Sequence, residues 1–224
     1  MRQLIFILFL LTPFIAKTQV LSSVSYKVGL CYAGQIKAPS LAGDGGEKPG
    51  ISFTIEPTLE SFGNKNKFHL HLALSYAQKG SVLKSPVYAY NQMGQIVAEG
   101  SETYTVSQNY FVIAPTISFD YGEKFYAKIG PRMDIFTGFR SGKEFSADSR
   151  DKEDFEKYNF GASVALGYVG GSAEDHSQFM FEIVGQPDFN VSSTNLATGQ
   201  SLTNFAFLFN VGFRVNLVPT PTEE

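Results

Sequence analysis

The sequence is poor in the residues that most often build disulfides, metal sites and histidine-dependent active sites. It has no tryptophan, one cysteine and three histidines in 224 residues. The lone Cys31 excludes an internal disulfide, and we predict neither a metal site nor a cofactor. The 18 Lys and Arg residues stand against 21 Asp and Glu residues, without a basic cluster, which argues against a nucleic-acid-binding protein.

Long apolar runs are also absent, except at the N-terminus. There Arg2 precedes an unbroken apolar run from Leu4 to Leu11, and small residues follow at Ala16 and Thr18. These features predict a signal peptide over 1–18, cleaved near Thr18/Gln19. The run is shorter than the ~20 residues that a membrane-spanning helix needs.

Beyond the signal peptide we predict one barrel domain over 19–218 and a short C-terminal tail over 219–224. No stretch of this domain is apolar for long enough to form a spanning helix. A membrane protein with this sequence therefore has to cross with strands, because only helices and closed barrels satisfy their backbone groups in lipid.

Bulky apolar residues alternate with small or polar residues along eight segments. The clearest is the last, in which Phe207, Phe209 and Val211 alternate with Ala206, Asn210 and other small or polar residues. Such a period of two is the signature of strands with two different faces. The sequence therefore predicts an all-β fold, an eight-stranded antiparallel up-and-down transmembrane β-barrel, with strands around 24–34, 50–60, 67–80, 108–121, 124–139, 158–169, 177–187 and 203–217.

The predicted connections alternate in length. Three are short (61–66, 122–123 and 170–176), and four are long (35–49, 81–107, 140–157 and 188–202). Outer-membrane barrels have short periplasmic turns and longer external loops. With the N-terminus in the periplasm, all four long connections are predicted to lie outside the cell.

The connection 81–107 is rich in tyrosine and is the best candidate for a contact surface. Tyr88, Tyr90 and Tyr104 lie in it, and tyrosine-rich loops suit contact with a protein or a glycan. The alternative is that the flanking strands project beyond the membrane as a hairpin, with the tyrosines along it.

Alternation by itself does not say which face meets lipid. A soluble lipocalin-like carrier of a small apolar ligand also has eight up-and-down strands, but its apolar face lines the cavity. Here one face carries bulky Phe, Leu and Ile while the other is small or polar. Because eight strands leave room for little more than side chains inside, we place the bulky face against lipid. Pro57, Pro115 and Pro131 fall within strands and predict either bulges or strand ends.

Charged residues recur on the face predicted to line the lumen. Buried charges require partners, so we predict a salt-bridged plug in place of an ion or proton path. Its main cations are predicted to be Arg132 and Arg214, with Glu56, Asp134 and Glu182 as anions. The full predicted network is Lys27, Glu56, Lys128, Arg132, Asp134, Glu182 and Arg214.

Catalysis on the cell surface is not expected from this sequence. The three histidines are His69, His71 and His176, and all three fall at the predicted periplasmic end. A general base facing outward is therefore missing among the histidines. We predict a non-enzymatic protein that works in binding, envelope scaffolding or a secretion-associated role.

The last strand resembles the C-terminal signal that the barrel-assembly machinery takes up. The matching positions are a polar Asn210, then Gly212, and the apolar Val215 and Leu217. The match departs from the usual form in two ways, since it ends seven residues before the chain end and has valine where an aromatic residue is usual.

Several segments together resemble the PorT-like outer-membrane β-barrel family of Bacteroidetes. They are residues 76–80 (YAQKG), 109–115 (NYFVIAP), 124–131 (KFYAKIGP) and 160–162 (FGA). The resemblance implies a small barrel in the outer membrane of a Gram-negative bacterium. One founding member of the family is tied to type IX secretion, while most members have no assigned role.

Overall fold

The computed structural model describes residues 21–37, 46–59, 67–91, 93–122, 124–141, 156–171, 175–190, 193–195 and 200–217. The predicted signal peptide over 1–18 and the tail over 219–224 lie outside these residues. No helix in the described ranges is long and apolar enough to cross a membrane.

Antiparallel strands make up nearly all of the described chain. Eight of them form one sheet that closes on itself through pairing of the first strand with the last, so the predicted eight-stranded antiparallel barrel is confirmed. A ninth, three-residue strand adds to the start of the last one. The strands are β1 (Leu21–Lys37), β2 (Gly46–Leu59), β3 (Phe68–Tyr90), β4 (Ile96–Tyr121), β5 (Phe125–Ser141), β6 (Tyr158–Gly170), β7 (Ser177–Pro187), β8 (Ser193–Asn195) and β9 (Gln200–Asn216).

The register of the strands fixes the dimensions of the barrel. A row of register partners can be followed from Ser23 of β1 across all eight barrel strands. It returns to β1 at Ala33, ten residues further along the strand. An eight-stranded barrel with strands tilted by roughly 35–45° has an interior just wide enough for side chains. The row passes through Thr58, His71, Thr116, Gly130, Ser163, Gln186 and Ala206.

The barrel is apolar outside and polar inside. Along β1, Tyr26, Val28 and Leu30 are exposed, whereas Ser25 and Lys27 are buried. The same alternation runs along the other barrel strands, as the sequence predicts. Pro115 and Met133 depart from it, because they belong to the outward phase but are covered by their neighbours.

The prediction of a loop over 81–107 is wrong, and the hairpin alternative describes these residues. Strands β3 and β4 continue past the barrel and pair with each other up to a tight turn at Gly94, which has a φ of +74°. Their last pairs with β2 and β5 involve Val82 and Val106. Beyond these pairs, Leu83–Tyr90 of β3 pair only with β4 among the described residues, over a length of roughly 25 Å. We call this part of the two strands, with its turn, the projecting hairpin. We call the end of the barrel that carries the projecting hairpin the hairpin end, and the opposite end the short-turn end.

The strand prolines mark gaps in the hydrogen-bond ladder, not bulges. Pro115 and Pro131 face each other across β4 and β5, where the ladder stops at Ile113–Met133 and resumes at Ile117. The register is the same on both sides of this gap. Proline has no backbone N–H to donate, so the ladder is interrupted without an inserted residue. Pro57 lies in a similar gap between β2 and β3.

Candidate functional site in the lumen and at the projecting hairpin

Four charged side chains from four strands form a closed ring across the lumen. Lys27 of β1 donates to Glu56 at 2.8 Å and to Glu182 at 2.9 Å. Lys128 of β5 donates to Glu56 at 2.8 Å and also contacts Glu182. Each lysine thus bridges both glutamates, and all four side chains are at most 4% exposed. We call this the first charge ring.

A glycine on the neighbouring strand makes room for the ring. Gly212 of β9 is the register partner of Lys27. A Cβ atom at this glycine would lie 2.9 Å from Lys27 Cγ and 2.0 Å from the carbonyl oxygen of Tyr26. The absence of a side chain at Gly212 therefore allows the lysine stem to turn into the lumen.

A second charge ring lies nearer the hairpin end and repeats the same pattern. Lys79 of β3 contacts Asp134 closely and lies 3.8 Å from Asp188, while Arg132 contacts Asp188 and lies 2.9 Å from Asp134. All four side chains are at most 1% exposed. Like the first ring, it holds two cations and two anions in alternation.

Sequence reasoning missed Lys79 and Asp188. Lys79 lies within the predicted strand 67–80 and continues its inward phase, but the apolar residues that distinguish the two faces of this strand end at Tyr76. Asp188 follows directly after β7 and joins the wall through an isolated bridge to Gly161. The sequence assigned it to an external loop because the apolar alternation ends at Ile183.

A layer of small and apolar side chains fills the lumen beside the first ring. It contains Cys31, Ala33, Ala165, Val184, Ala206 and Leu208, all buried. Next to it lies a cavity of about 30 Å³, bordered by the lysines and glutamates of the first ring. This volume holds about one or two water molecules.

Arg214 is not a member of either ring, which corrects the prediction that it is a main cationic partner. In register it lies opposite Gln178, whereas Glu182 lies opposite Asn210. Four residues separate these rows, ~13 Å along a strand. The guanidinium instead lies 5.8 Å from the ring centroid of Tyr126. Adjacent strands bring side chains together only where the register matches, and the sequence pattern does not contain the register.

A serine, a histidine and a glutamate are aligned in the lumen, but burial prevents their use on a substrate. His71 Nε2 lies 2.8 Å from Ser118 Oγ, and its Nδ1 lies 3.4 Å from Glu56. Such an order of nucleophile, base and carboxylate is seen in hydrolases. Here each of the three residues is at most 2% exposed, and Ser118 does not border the cavity. His71 also bonds Thr58, so the arrangement is a packed hydrogen-bond network.

The residues of the predicted assembly signal divide between the two faces of β9. Asn210 is buried and accepts a hydrogen bond from Ser52 at 3.1 Å. Gly212 faces the first ring, while Leu217 is exposed just after the strand ends. Their part in assembly stays a prediction.

The projecting hairpin carries the three predicted contact tyrosines. Tyr88 and Tyr90 lie on β3 and Tyr104 lies on β4. At the tip, the side-chain oxygen of Asn91 accepts hydrogen bonds from two backbone N–H groups of the turn. Met93 is 82% exposed there, the highest exposed fraction among the large apolar side chains whose burial the structure describes.

No family model and no curated protein matches the sequence. Similar solved structures include Neisserial surface protein A, with 13% identity over 87% of this chain and 97% of that chain and a TM-score of 0.46. The outer membrane protein OprG of Pseudomonas aeruginosa has 9% identity over 87% of this chain and 95% of that chain, with a TM-score of 0.47. The outer membrane protease OmpT of Escherichia coli has 8% identity over 90% and 99%, with a TM-score of 0.42. No functional conclusion follows from likenesses this distant, and the resemblance to the PorT-like family stays a prediction.

Proposed function

We propose that this chain is a non-enzymatic outer-membrane β-barrel with a closed lumen, which acts through the projecting hairpin and the other connections at that end. The observation that carries the proposal is the inversion of the barrel, with apolar side chains outside and two charge rings inside. An eight-stranded barrel in water would expose its polar face instead.

The outer surface has the features of a membrane-facing belt. Aromatic pairs surround the short-turn end, at Phe68–Phe119, Phe125–Tyr168 and Phe179–Phe213. Another pair, Phe205–Phe207, lies toward the hairpin end. Aromatic girdles at both interfaces are typical of outer-membrane barrels. We therefore take lipid to be the partner of the outer wall and the barrel-assembly machinery to be the route of insertion.

The soluble-carrier alternative is not supported by the lumen. A carrier of an apolar ligand needs an apolar cavity, typically of ~300 Å³ or more. The cavity here is about 30 Å³ and is bordered by Lys27, Glu56, Lys128 and Glu182. Filling it with an apolar molecule would desolvate those charges without a replacement partner.

The same geometry favours binding or scaffolding over transport or catalysis. The lumen is filled, so the surface available to a partner lies at the ends of the barrel. The hairpin is the longest projection among the described residues, and a protein or a glycan is the expected ligand. The PorT-like resemblance adds a secretion-associated role as one form that such binding takes.

Envelope fractionation with heat-modifiability on a gel tests the membrane half of the proposal. The protein is expected in the outer-membrane fraction and to migrate differently before and after boiling, because the folded barrel resists the detergent. Recovery as a monodisperse, detergent-independent soluble protein would overturn the proposal.

A shortened hairpin tests the binding half. Replacing 83–104 with a two-residue Asn-Gly turn removes only the ribbon that pairs with itself and leaves Val82 opposite Thr105 in the native register, which suits a two-residue hairpin. The variant is expected to insert and stay heat-modifiable while cells lose attachment to glycan or protein-coated surfaces. Unchanged attachment beside a folded barrel would contradict a role for the hairpin.

A further inference from the structure

The cavity beside the first charge ring lies between the two rings, away from the connections at either end of the barrel. Along β7, the lining residues Val184 and Gln186 follow Glu182 of the first ring and precede Asp188 of the second. Every residue that lines the cavity belongs to a barrel strand. The groups that meet in this cavity are therefore all described by the structure.

Two polar side chains that border the cavity have a hydrogen-bonding atom without a partner. The hydroxyl of Thr116 and the side-chain carbonyl oxygen of Gln186 are buried and bond to no described residue. Both residues line the cavity, and they are 5% and 6% exposed. A buried polar group that lacks a hydrogen bond is costly, and ordered water commonly satisfies such groups in protein interiors.

The chemistry of the cavity favours water over an apolar molecule or an additional ion. The two lysines and two glutamates of the first ring border it and neutralise one another, so no net charge attracts a further ion. Cavities that stay empty in proteins are lined by apolar groups, whereas a buried water needs two to four polar partners. Thr116, Ser163 and Gln186 supply such partners beside the ring.

We propose that this cavity is a binding site for ordered water, in which Thr116 and Gln186 are the principal ligands. Its volume of about 30 Å³ suits about one or two water molecules. A water molecule donates to the carbonyl oxygen of Gln186, and the hydroxyl of Thr116 can either donate or accept. The site lies inside the barrel wall, so it does not depend on the proposed function of the projecting hairpin.

A crystal structure of the refolded barrel, at a resolution that shows internal water, tests the site directly. Electron density is expected within hydrogen-bond distance, roughly 2.7–3.2 Å, of Thr116 Oγ1 and of the Gln186 side-chain amide. A cavity without density at these two side chains would overturn the site. Density at the ~2.0–2.6 Å oxygen distances of a bound metal cation would overturn the assignment to water.

Oxygen-17 relaxation dispersion of the solvent tests the same site in solution, because its amplitude reports long-lived internal water. Ala114→Val adds carbon atoms to the cavity wall and is expected to remove the contribution of about one or two water molecules. Thr116→Val, which replaces the hydroxyl with a methyl group, should lower the amplitude as well.

Ser25→Ala is the matched control for both variants. The Ser25 hydroxyl is also buried without a partner among the described residues, but Ser25 does not border the cavity, so the amplitude should match that of the unaltered barrel. An amplitude that neither Ala114→Val nor Thr116→Val lowers, or that Ser25→Ala lowers equally, would overturn the site. If Ala114→Val does not fold, Thr116→Val and the crystal structure of the unaltered barrel decide.

Discussion

A buried lysine that contacts two glutamates is stabilised only while both remain charged, and the first charge ring depends on this at every member. Glu56 contacts Lys27 and Lys128, and Glu182 contacts the same two lysines. Removing one glutamate leaves two lysines and one carboxylate among side chains that are at most 4% exposed. Arg214 differs because no described carboxylate depends on it.

Glu56→Gln is therefore expected to destabilise the barrel strongly, by about 3–5 kcal/mol, the usual penalty for breaking a buried ion pair. Arg214→Ala is the matched comparison and is expected to have a clearly smaller effect. Urea-induced unfolding of the barrel in detergent micelles measures both. A second change, Lys128→Met in the Glu56→Gln background, should recover part of the loss. Equal losses from Glu56→Gln and Arg214→Ala would argue against the ring as the stabilising unit.

Gly212 is predicted to be intolerant of even one extra carbon. Its Cβ would lie 2.0 Å from the Tyr26 carbonyl oxygen, so Gly212→Ala forces β1 and β9 apart at the seam that closes the barrel. Overpacking of this kind costs about 1–3 kcal/mol. Gly185 is the control, because the nearest atom to its Cβ lies at 3.8 Å. Thermal unfolding followed by gel mobility is expected to show a loss for Gly212→Ala and little change for Gly185→Ala.

At the scale of the strands, the sequence allowed prediction of the faces but not of the register. Residues such as Phe207 and Phe209 project outward because the side chains of a strand alternate between its two faces. This alternation can be read from the sequence. Whether Arg214 contacts Glu182 depends on the register between β7 and β9. That register is set by the lengths of the turns and by the closure of the whole barrel, and no single segment of the sequence encodes it.

The sequence pattern also did not predict the length of the projecting hairpin. Leu83–Tyr90 and the facing part of β4 show no steady apolar alternation, because these residues project beyond the barrel and do not line its lumen. They are strands by virtue of pairing with each other. The eight barrel segments, by contrast, were predictable because the outer surface and the lumen carry opposite chemistry on alternate residues.

Opposite faces of β9 are expected to respond differently to substitution. Phe209 is 44% exposed on the outer belt, and an arginine there costs about 2–4 kcal/mol near mid-membrane. Asn210→Ala removes a hydrogen bond from Ser52 and a long one to Glu182, each worth about 0.5–1.5 kcal/mol. The heat-modifiable fraction in isolated outer membranes should fall sharply for Phe209→Arg and slightly for Asn210→Ala. Similar assembly defects in both variants would contradict the assignment of the faces.

The two ends of the barrel are expected to lie on opposite sides of the membrane. Met93→Cys at the hairpin tip should react on intact cells with a membrane-impermeant maleimide, because this position is highly exposed. Lys124→Cys, in the turn after Gly122 at the other end, should react only after the outer membrane is opened. Cys31 is buried, so the native thiol adds little background. Labelling of Lys124→Cys alone on intact cells would reverse the topology.

For the molecule as a whole, two neutral rings and an apolar layer are the basis of the proposed closed lumen. An ion that crosses has to break at least two buried ion pairs, pass Cys31, Ala33 and Leu208, and break the second ring as well. Each disrupted pair leaves an unpaired buried charge at a cost of several kcal/mol. The barriers add along the path, and a cavity of about 30 Å³ lies beside the first ring.

Planar-bilayer recording of the refolded protein is therefore expected to show no steady single-channel conductance, with a porin reconstituted by the same procedure as the positive control. Glu56→Gln and Glu182→Gln together would remove both anions of the first ring, yet the second ring, with Arg132 and Asp134, still closes the lumen. The double variant should thus remain non-conducting even as its stability falls. Sizeable, steady openings of the unaltered protein would show that the rings part readily, and the binding and scaffolding function would then give way to transport.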